Sequence, residues 1–247
     1  MSVKFLHLFP RQLGLNGEKG NLDCLVQRLS WAGISSELLV FDGSGPIPSS
    51  VDAVFIGSGT LSGATEALEL LKSSTVQLRS LASSGTPFLA LGLGWEILGQ
   101  SVQALDGTVI EGAGVFPSRS MRTNQRASTE CFGLDYTGQL TTGYANHSAE
   151  MELLNGAQPL VTLSEGFGNS SITNAKGRPD EGLISGNLMA ARLNGPLLPL
   201  NPHLADQFLN LVAAKAGFSY RQESKEAVVA DGFAAKARAE LKARLAR

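Results

Sequence analysis

The chain has 247 residues, 43% of them hydrophobic, and a formal net charge of −2 at pH 7. This size allows one large domain or two small ones with a substantial apolar core. The nearly neutral charge lacks the basic excess typical of nucleic-acid binding, so we expect no nucleic-acid partner. No apolar run reaches the roughly 18 residues of a membrane span, and the two cysteines form no metal-ligand pattern. We therefore expect a reduced, cytoplasmic protein with no membrane span, metal or cofactor.

The first half of the chain alternates short apolar segments with helical patterns. We predict strands at residues 3–9, 38–41, 53–56 and 88–91. Between them, apolar residues recur at helical spacing, first over residues 21–33 and again after Gly63. Such alternation is typical of parallel βαβ units, and almost wholly apolar strands indicate a sheet covered on both faces. The sequence therefore predicts an α/β sandwich: a central, mostly parallel sheet with helices on both faces.

The second half of the chain has a different character. Between Gly107 and Gly168, glycine, serine and threonine are frequent and helical spacing is weak. We predict further strands, some of them antiparallel, at residues 140–144, 160–163 and 188–193, and a helix at 202–216. One domain is expected over residues 1–220. The basic segment that follows, 221–247, is either a solvated helix or tail or a helix that docks on a partner protein.

The most informative segment is residues 87–99, which predicts a buried strand, a tight glycine turn and then a helix. A strand-to-helix elbow of this kind holds a nucleophile at the end of a sheet, with backbone N–H groups beside it. Gly92 stands where the nucleophile would be, and glycine has no side chain that could attack a substrate. The elbow therefore indicates descent from an enzyme, while its central residue argues against the corresponding activity.

A second glycine turn, Gly57-Ser58-Gly59, follows the predicted strand at 53–56 and precedes a helix. One functional interpretation is a phosphate-binding loop at a helix N-terminus, and another is a set of N–H donors for an oxyanion. The spacing to Gly63, and the lack of an acidic residue about 20 residues further on, weaken the dinucleotide interpretation. An ordinary tight turn between strand and helix explains these residues equally well.

Several other segments, taken in order with the elbow, resemble a known family. They are Gly20-Asn21, Asn146-His147, Gly168-Asn169, Glu181-Gly182 and the run from Leu193 to Pro199. The chain resembles the glutamine amidotransferases of the cobyric-acid-synthase type, and among them the small glutaminase subunit of bacterial lipid II isoglutaminyl synthase. The resemblance runs from about Val3 to Gly217 and is most diagnostic from Gly195 to Asp206. It implies the class I glutamine amidotransferase fold, which is a flavodoxin-like sandwich.

The resemblance also implies a chemistry that this chain lacks the residues to perform. In that family the subunit hydrolyses glutamine and passes ammonia to a Mur-ligase-like synthetase, which amidates the peptidoglycan stem peptide. A cysteine thiolate at the elbow attacks glutamine, and a histidine activates the thiol and protonates the departing ammonia. The cysteine position here is Gly92 and the histidine position is Asn194, which cannot exchange a proton near neutral pH. We therefore predict no catalytic residues, and a subunit that has lost its own glutaminase activity.

The resemblance suggests that ligand binding is retained. Arg126 falls where the family carries an arginine for the substrate glutamine, although an ordinary surface arginine is an equally good interpretation. With Gly57, Ser58 and Gly59, it forms the predicted binding site for glutamine or another amino acid. Leu93 replaces a glycine beside the nucleophile position, so we expect it to crowd this pocket. The expected partner is a Mur-ligase-like synthetase, with the basic C-terminal segment as the candidate contact.

Two other functions stay open on sequence alone. The chain could be an active glutaminase that supplies ammonia to a Mur-ligase-like partner, with Cys131 and either His147 or His203 replacing the missing pair. It could instead be a nucleotide-binding module that uses the loop at Gly57. Cys24 lies beside the apolar face of the first predicted helix, where packing is its expected role.

Overall fold

The computed structural model describes residues 2–15, 17–171 and 177–245. In chain order the elements are β1 (Ser2–Leu8), α1 (Lys19–Trp31), β2 (Ser35–Phe41), β3 (Ala53–Ile56), α2 (Leu61–Leu71), α3 (Thr75–Ser83), β4 (Phe88–Leu91), α4 (Gly92–Leu98), β5 (Ser101–Gln103), β6 (Val109–Glu111), β7 (Ser118–Asp135), β8 (Leu140–Leu153), β9 (Val161–Glu165), β10 (Asp180–Glu181), β11 (Leu183–Ser185), β12 (Leu188–Ala191), β13 (Leu193–Asn194), α5 (Leu197–Leu200), α6 (Pro202–Ala216) and α7 (Lys225–Leu245). None of the helices in these ranges is long and apolar enough to cross a membrane.

A six-stranded sheet forms the centre of the fold, in the order β11-β12-β4-β3-β1-β2. Five of its strands are parallel, and only the edge strand β11 runs antiparallel to its neighbour. The register pairs Ile56 at the end of β3 with Ala90 near the end of β4. The carboxyl ends of these two strands therefore lie side by side, and the two glycine turns that follow them are neighbours. The predicted mostly parallel sheet is confirmed.

Helices cover both faces of this sheet, as predicted. Side chains alternate between the faces along each strand, so Phe5 and Phe55 pack with α1 and α6. Leu6 and Ile56 point the other way and pack with α2, α3 and α4. The partly buried Cys24 packs on the first of these two cores, which agrees with the packing role expected for it.

A second, seven-stranded sheet is built mainly from antiparallel pairs, and β7 and β8 form its long central hairpin. The predicted strand at 140–144 is the beginning of β8, which continues to Leu153. The predicted strand at 188–193 is two strands. The first, β12, belongs to the central sheet and the second, β13, pairs with β8. Arg192, between them, therefore lies where the chain crosses from one sheet to the other.

The described part of the basic C-terminal segment contains a long helix, α7, that packs on the domain along one face. Ala227 and Ala234 are buried, and Asp231 lies 2.7 Å from the guanidinium of Arg28. The opposite face carries Val229 and Phe233, which are 60% and 67% exposed. The helix is thus fixed to its own domain on one side, while its other side exposes two large apolar side chains, with Lys236 Nζ 5.9 Å from the centre of the Phe233 ring.

Glu18, just before α1, is a buried carboxyl that links folding to pH. It is 3% exposed and accepts a hydrogen bond from Asn21 Nδ2 at 3.2 Å. Burial raises its pKa from 4.5 to about 8. The folded chain therefore holds a proton that the unfolded chain releases above about pH 4.5. The resulting stabilisation is complete below that pH and is lost as the pH rises through about 8.

We predict that Glu18→Gln removes one falling contribution from the dependence of stability on pH between about pH 5 and pH 8, because glutamine keeps the shape of the protonated acid and has no proton to lose. Relative to the variant, the free energy of unfolding of the unmodified protein should fall by up to about 1.4 kcal/mol per pH unit in this interval. Urea unfolding at a series of pH values measures both proteins. The exposed Glu37→Gln variant is the control. Equal slopes for all three proteins would contradict the prediction.

Candidate functional site

The predicted elbow is present where β4 ends at Leu91 and α4 begins at Gly92. Gly92 has a φ of +48°, in the left-handed region that favours glycine. Two residues further on, the Gly94 N–H donates a hydrogen bond of 3.1 Å to the carbonyl of Gly57. A Cβ atom at Gly94 would lie 2.8 Å from the side chain of Ile56 and still nearer that carbonyl. The elbow therefore touches the 57–59 loop directly through backbone atoms.

The glycines of the 57–59 loop are explained by close packing. A Cβ atom at Gly57 would lie 2.8 Å from Cβ of Glu18 and closer still to the carbonyl of Leu13. One at Gly59 would overlap the carbonyl of Gln12. The residue between them, Ser58, is 8% exposed, and its carbonyl accepts a 3.0 Å hydrogen bond from the Leu15 N–H. The loop is therefore held from both sides, as the tight-turn interpretation expects.

The side chain of Ser58 lies against the elbow. Its Oγ accepts a hydrogen bond of 3.1 Å from the backbone N–H of Leu93. In elbows of this type, the N–H of the residue after the nucleophile is a donor to the oxyanion. A Cβ atom at Gly92 would lie 2.7 Å from Cβ of Ser58 and nearer still to its Oγ. Ser58 thus occupies space that a side chain at position 92 would need.

An open cavity of ≈ 390 Å³ lies beside the elbow and brings most of the predicted site residues together. Ser58, Gly59, Gly92, Arg126 and Asn194 all line it, whereas Gly57 is outside its described lining. The elbow, the loop and the second sheet therefore meet around a single space.

Leu93 also lines this cavity and packs against the core beneath it. We expected its side chain to crowd the pocket. The cavity nevertheless keeps a volume of ≈ 390 Å³, which is room enough for a small polar ligand.

Arg126 is placed over the cavity by an irregularity in the long hairpin. The register between β7 and β8 shifts between Arg122 and Ala127, so β7 carries extra residues at this point. The guanidinium of Arg126 donates from Nε and Nη2 to the amide oxygen of Asn146, at 3.0 and 2.6 Å. Arg126 is thus exposed, as the surface interpretation expects. Its guanidinium group is nevertheless held beside the cavity by Asn146.

Three further charged residues of the lining were missed by sequence reasoning. They are Glu96, Arg122 and Arg192. Glu96 is 2% exposed, and it accepts hydrogen bonds from Ser120 Oγ at 2.7 Å and from Arg122 Nη2 at 2.9 Å. A glutamate within the otherwise apolar run of α4 was the one available signal, because a buried carboxylate needs a partner.

Arg192 is buried at the crossing between the two sheets. Its Nη1 and Nη2 atoms donate to the carbonyls of Ala149 and Gly168, at 2.5 and 2.7 Å. Its backbone N–H donates to Glu181 Oε1 at 2.6 Å. Burial raises the pKa of Glu181. This network ties the back wall of the cavity to both sheets.

His147 and Asn194 also line the cavity. His147 is a weaker base than a free histidine, and the amide of Asn194 is not a base. Burial, helped by the charge of Arg192, lowers the pKa of His147 to about 3, so the ring is neutral at pH 7. The Asn194 side-chain amide donates to the carbonyls of Tyr144 and Arg192, at 3.1 and 3.2 Å. The residue at the histidine position therefore hydrogen-bonds to the backbone.

Cys131 is not brought together with either candidate histidine. It is 1% exposed, and burial raises the pKa of its thiol to about 11. Its neighbour across the hairpin is Gly143, whereas His147 pairs with Ala127, four residues away along β7. At about 3.4 Å per residue, this puts the backbones of Cys131 and His147 at least roughly 14 Å apart. His203 Nε2 instead lies 3.0 Å from Thr141 Oγ1.

These observations limit what the site can do. Its lining, among the described residues, offers three guanidinium groups, a paired glutamate, a neutral imidazole, hydroxyls and amides. Residues 2–15, 17–171 and 177–245 contain no cluster of histidine, cysteine and carboxylate side chains that could hold a metal ion. Such a lining can bind a polar or anionic ligand, and no cysteine is among its described residues.

The sequence of this chain is similar to those of known glutamine amidotransferases. Residues 18–201 match the CobB/CobQ-like glutamine amidotransferase domain. Subunit GatD of the glutamine-hydrolysing lipid II isoglutaminyl synthase of Staphylococcus aureus (strain N315) is 27% identical over 223 residues, which are 89% of this chain and 87% of that protein.

Two solved structures share the fold. One crystal structure of a glutamine amidotransferase has a TM-score of 0.57 at 16% identity, over 84% of this chain and 98% of that one. A second, from Methylobacillus flagellatus, has a TM-score of 0.53 at 10% identity, over 90% and 98%. The match over residues 18–201 covers most of the chain, so this protein belongs to the CobB/CobQ-like glutamine amidotransferase family.

Proposed function

We propose that this protein is a glutamine amidotransferase-like subunit of a lipid II-amidating synthetase, and that it does not itself hydrolyse glutamine. The similarity to the staphylococcal subunit extends over 89% of the chain and supports the first part. Both cysteines are free, which fits the reducing cytoplasm as the proposed location.

The observation that carries the second part is an open cavity whose two expected reacting groups are missing. Gly92 has no side chain, and the amide of Asn194 is bonded to backbone carbonyls. A nucleophile and its base act as a unit, so the loss of either removes most of the rate. The buried Cys131 is outside the described lining of the cavity, and its thiol donates to the carbonyls of Thr129 and Phe167.

The contacts described above do not support either alternative function. The active-glutaminase hypothesis needs Cys131 near a histidine, and the register of β7 and β8 separates it from His147. The nucleotide-binding hypothesis needs a free glycine loop. Gly57 and Gly59 are instead packed against the backbone of residues 12 and 13.

Ligand binding is the activity that the remaining groups support. The Arg126 fork is held by the amide oxygen of Asn146, a neutral acceptor. A carboxylate forms a stronger, charge-assisted pair with guanidinium and would displace it. Ser58 and Gly59 lie on the wall of the same cavity. The proposed ligand is glutamine or another amino acid, with its carboxylate on Arg126.

The purified protein should release no ammonia from glutamine above a buffer blank, either alone or with its candidate synthetase, because position 92 has no nucleophile. A glutamine-analogue electrophile should leave its intact mass unchanged. The Cys131→Ser variant is the matched control. Ammonia release that this variant abolishes would identify Cys131 as a nucleophile and contradict the proposal. Release that persists in it would contradict the proposal equally, once a mock purification is blank.

Glutamine binding, measured by titration calorimetry, should weaken at least about tenfold in Arg126→Gln, because the charge-assisted pair is lost. The matched control is Arg119→Gln on the same strand, an exposed arginine that lies 3.8 Å from Glu152 and outside the cavity lining. This control should leave the affinity unchanged. If glutamine, glutamate and asparagine all fail to bind the unmodified protein, the ligand proposal is wrong.

The proposed contact with the synthetase is the exposed face of α7. The ion pair between Asp231 and Arg28 fixes the helix, so Val229 and Phe233 are presented on a rigid support. Exposed apolar residues on a fixed helix are suited to docking on a partner.

Phe233→Asp should abolish co-purification with a Mur-ligase-like synthetase from the same genome, because it puts a charge into an apolar contact. Val76→Asp, at a 72% exposed valine on α3, is the matched control and should co-purify normally. Thermal unfolding of both variants checks that the fold is intact. Normal co-purification of Phe233→Asp would exclude this face as the contact.

A further inference from the structure

We infer that Ser58 takes over the space of the elbow nucleophile, so that Ser58 and Gly92 form a matched pair and any side chain at position 92 destabilises the fold while Ser58 is present. The inference deepens the proposed function, from which it takes only the identification of position 92 as the nucleophile position. Ser58 is then a second residue, besides Gly92, that excludes a nucleophile from the elbow.

The steric part of the argument rests on the Cβ atom of Ser58. A Cβ atom at Gly92 would lie 2.7 Å from it, whereas ordinary contacts of such atoms begin at about 3.4 Å. Rotation about the Ser58 side chain moves Oγ but leaves Cβ in place. A side chain at position 92 therefore requires the backbone of one of the two turns to move.

The backbone of the 57–59 loop has little freedom to move. The carbonyl of Ser58 is bonded to the Leu15 N–H at 3.0 Å, and the carbonyl of Gly57 is bonded to the Gly94 N–H at 3.1 Å. Gly59 is packed against the backbone of Gln12. Ser58 is thus fixed on both sides, and relieving the clash requires these backbone contacts to be strained.

The polar part of the argument concerns the Leu93 N–H. This group donates to Ser58 Oγ at 3.1 Å. It is the group that would stabilise an oxyanion at an active elbow of this type. Ser58 therefore fills the nucleophile's space and also occupies the donor that serves the nucleophile's reaction.

Gly33 provides a matched control for backbone strain. Its φ is +74°, also in the left-handed region, and a Cβ atom there would have no neighbour within 4 Å. Gly33→Ala therefore incurs only the strain of its backbone angle, while Gly92→Ala incurs similar strain together with the clash. The difference between the two substitutions isolates the contribution of Ser58.

The experiment is a set of four thermal unfolding comparisons: Gly92→Ala and Gly33→Ala, each with and without Ser58→Gly. Gly92→Ala alone should lower the Tm by about 5 °C more than Gly33→Ala does. Ser58→Gly should remove most of this excess and should not improve Gly33→Ala. Ser58→Ala, which keeps Cβ and removes Oγ, should rescue only in part.

A chemical readout uses Gly92→Cys, with and without Ser58→Gly. In the double variant, the introduced thiol faces the open cavity and lies next to a freed Leu93 N–H. It should react with iodoacetamide at least about tenfold faster than the two native cysteines, both of which have a raised thiol pKa. Peptide mass mapping locates the label. With Ser58 present, the variant should be destabilised or fail to fold.

Two results would overturn the inference. One is an equal loss of Tm for Gly92→Ala with and without Ser58→Gly. The other is failure of every position 92 variant to fold in the Ser58→Gly background while Gly33→Ala folds there, since backbone strain alone would then exclude the side chain. Neither the Tm comparison nor the thiol labelling depends on ammonia release. The inference can therefore fail while the proposed function holds, and the reverse.

Discussion

The contact between two neighbouring strand-to-helix turns is the constraint on which the site depends. Strands β3 and β4 are parallel neighbours, so their carboxyl ends deliver the 57–59 loop and the elbow to the same place. The hydrogen bond from the Gly94 N–H to the carbonyl of Gly57 leaves no room for side chains at the contact. Within so close an approach, a residue in one turn restricts what the other can carry. The relation between Ser58 and Gly92 follows from that packing.

The far wall of the cavity is held by a buried polar network. Arg192 lies where the chain passes from the central sheet to the second one, and it donates to the carbonyls of Ala149 in β8 and of Gly168 between β9 and β10. A buried guanidinium is costly unless its donors are satisfied, and these bonds offset much of that cost. Glu96 is similarly held, by Ser120 and Arg122. Both walls are therefore linked to neighbouring segments by hydrogen bonds, and a pre-formed cavity lowers the cost of ordering a ligand-binding site.

Much of the central fold could be predicted because apolar patterning dominates it. The strands at 53–56 and 88–91 and the helix at 202–216 agree with the structure residue for residue. The long strand β7 was missed because it is rich in arginine, serine and threonine and has a stretch of unburied residues in its middle. The predicted strand at 188–193 concealed the crossing at Arg192, since an apolar run does not reveal which sheet each residue joins.

The candidate site was only partly predictable, for a different physical reason. A serine between the two glycines of a loop looks ordinary in sequence, because the effect of Ser58 depends on a residue 34 positions further on that packs against it. Arg122 and Glu96 likewise become partners only when β7 passes over α4.

A nucleophile removed from a packed elbow leaves a gap, and an unfilled gap is destabilising. Here Ser58 fills that space and satisfies the Leu93 N–H, and the Asn194 amide is bonded to two backbone carbonyls. Ser58 and Asn194 thus contribute to the packing and hydrogen bonding of the wall, while the cavity in front of them stays open. The repacked positions and the retained cavity together are what the proposed binding role requires of this wall.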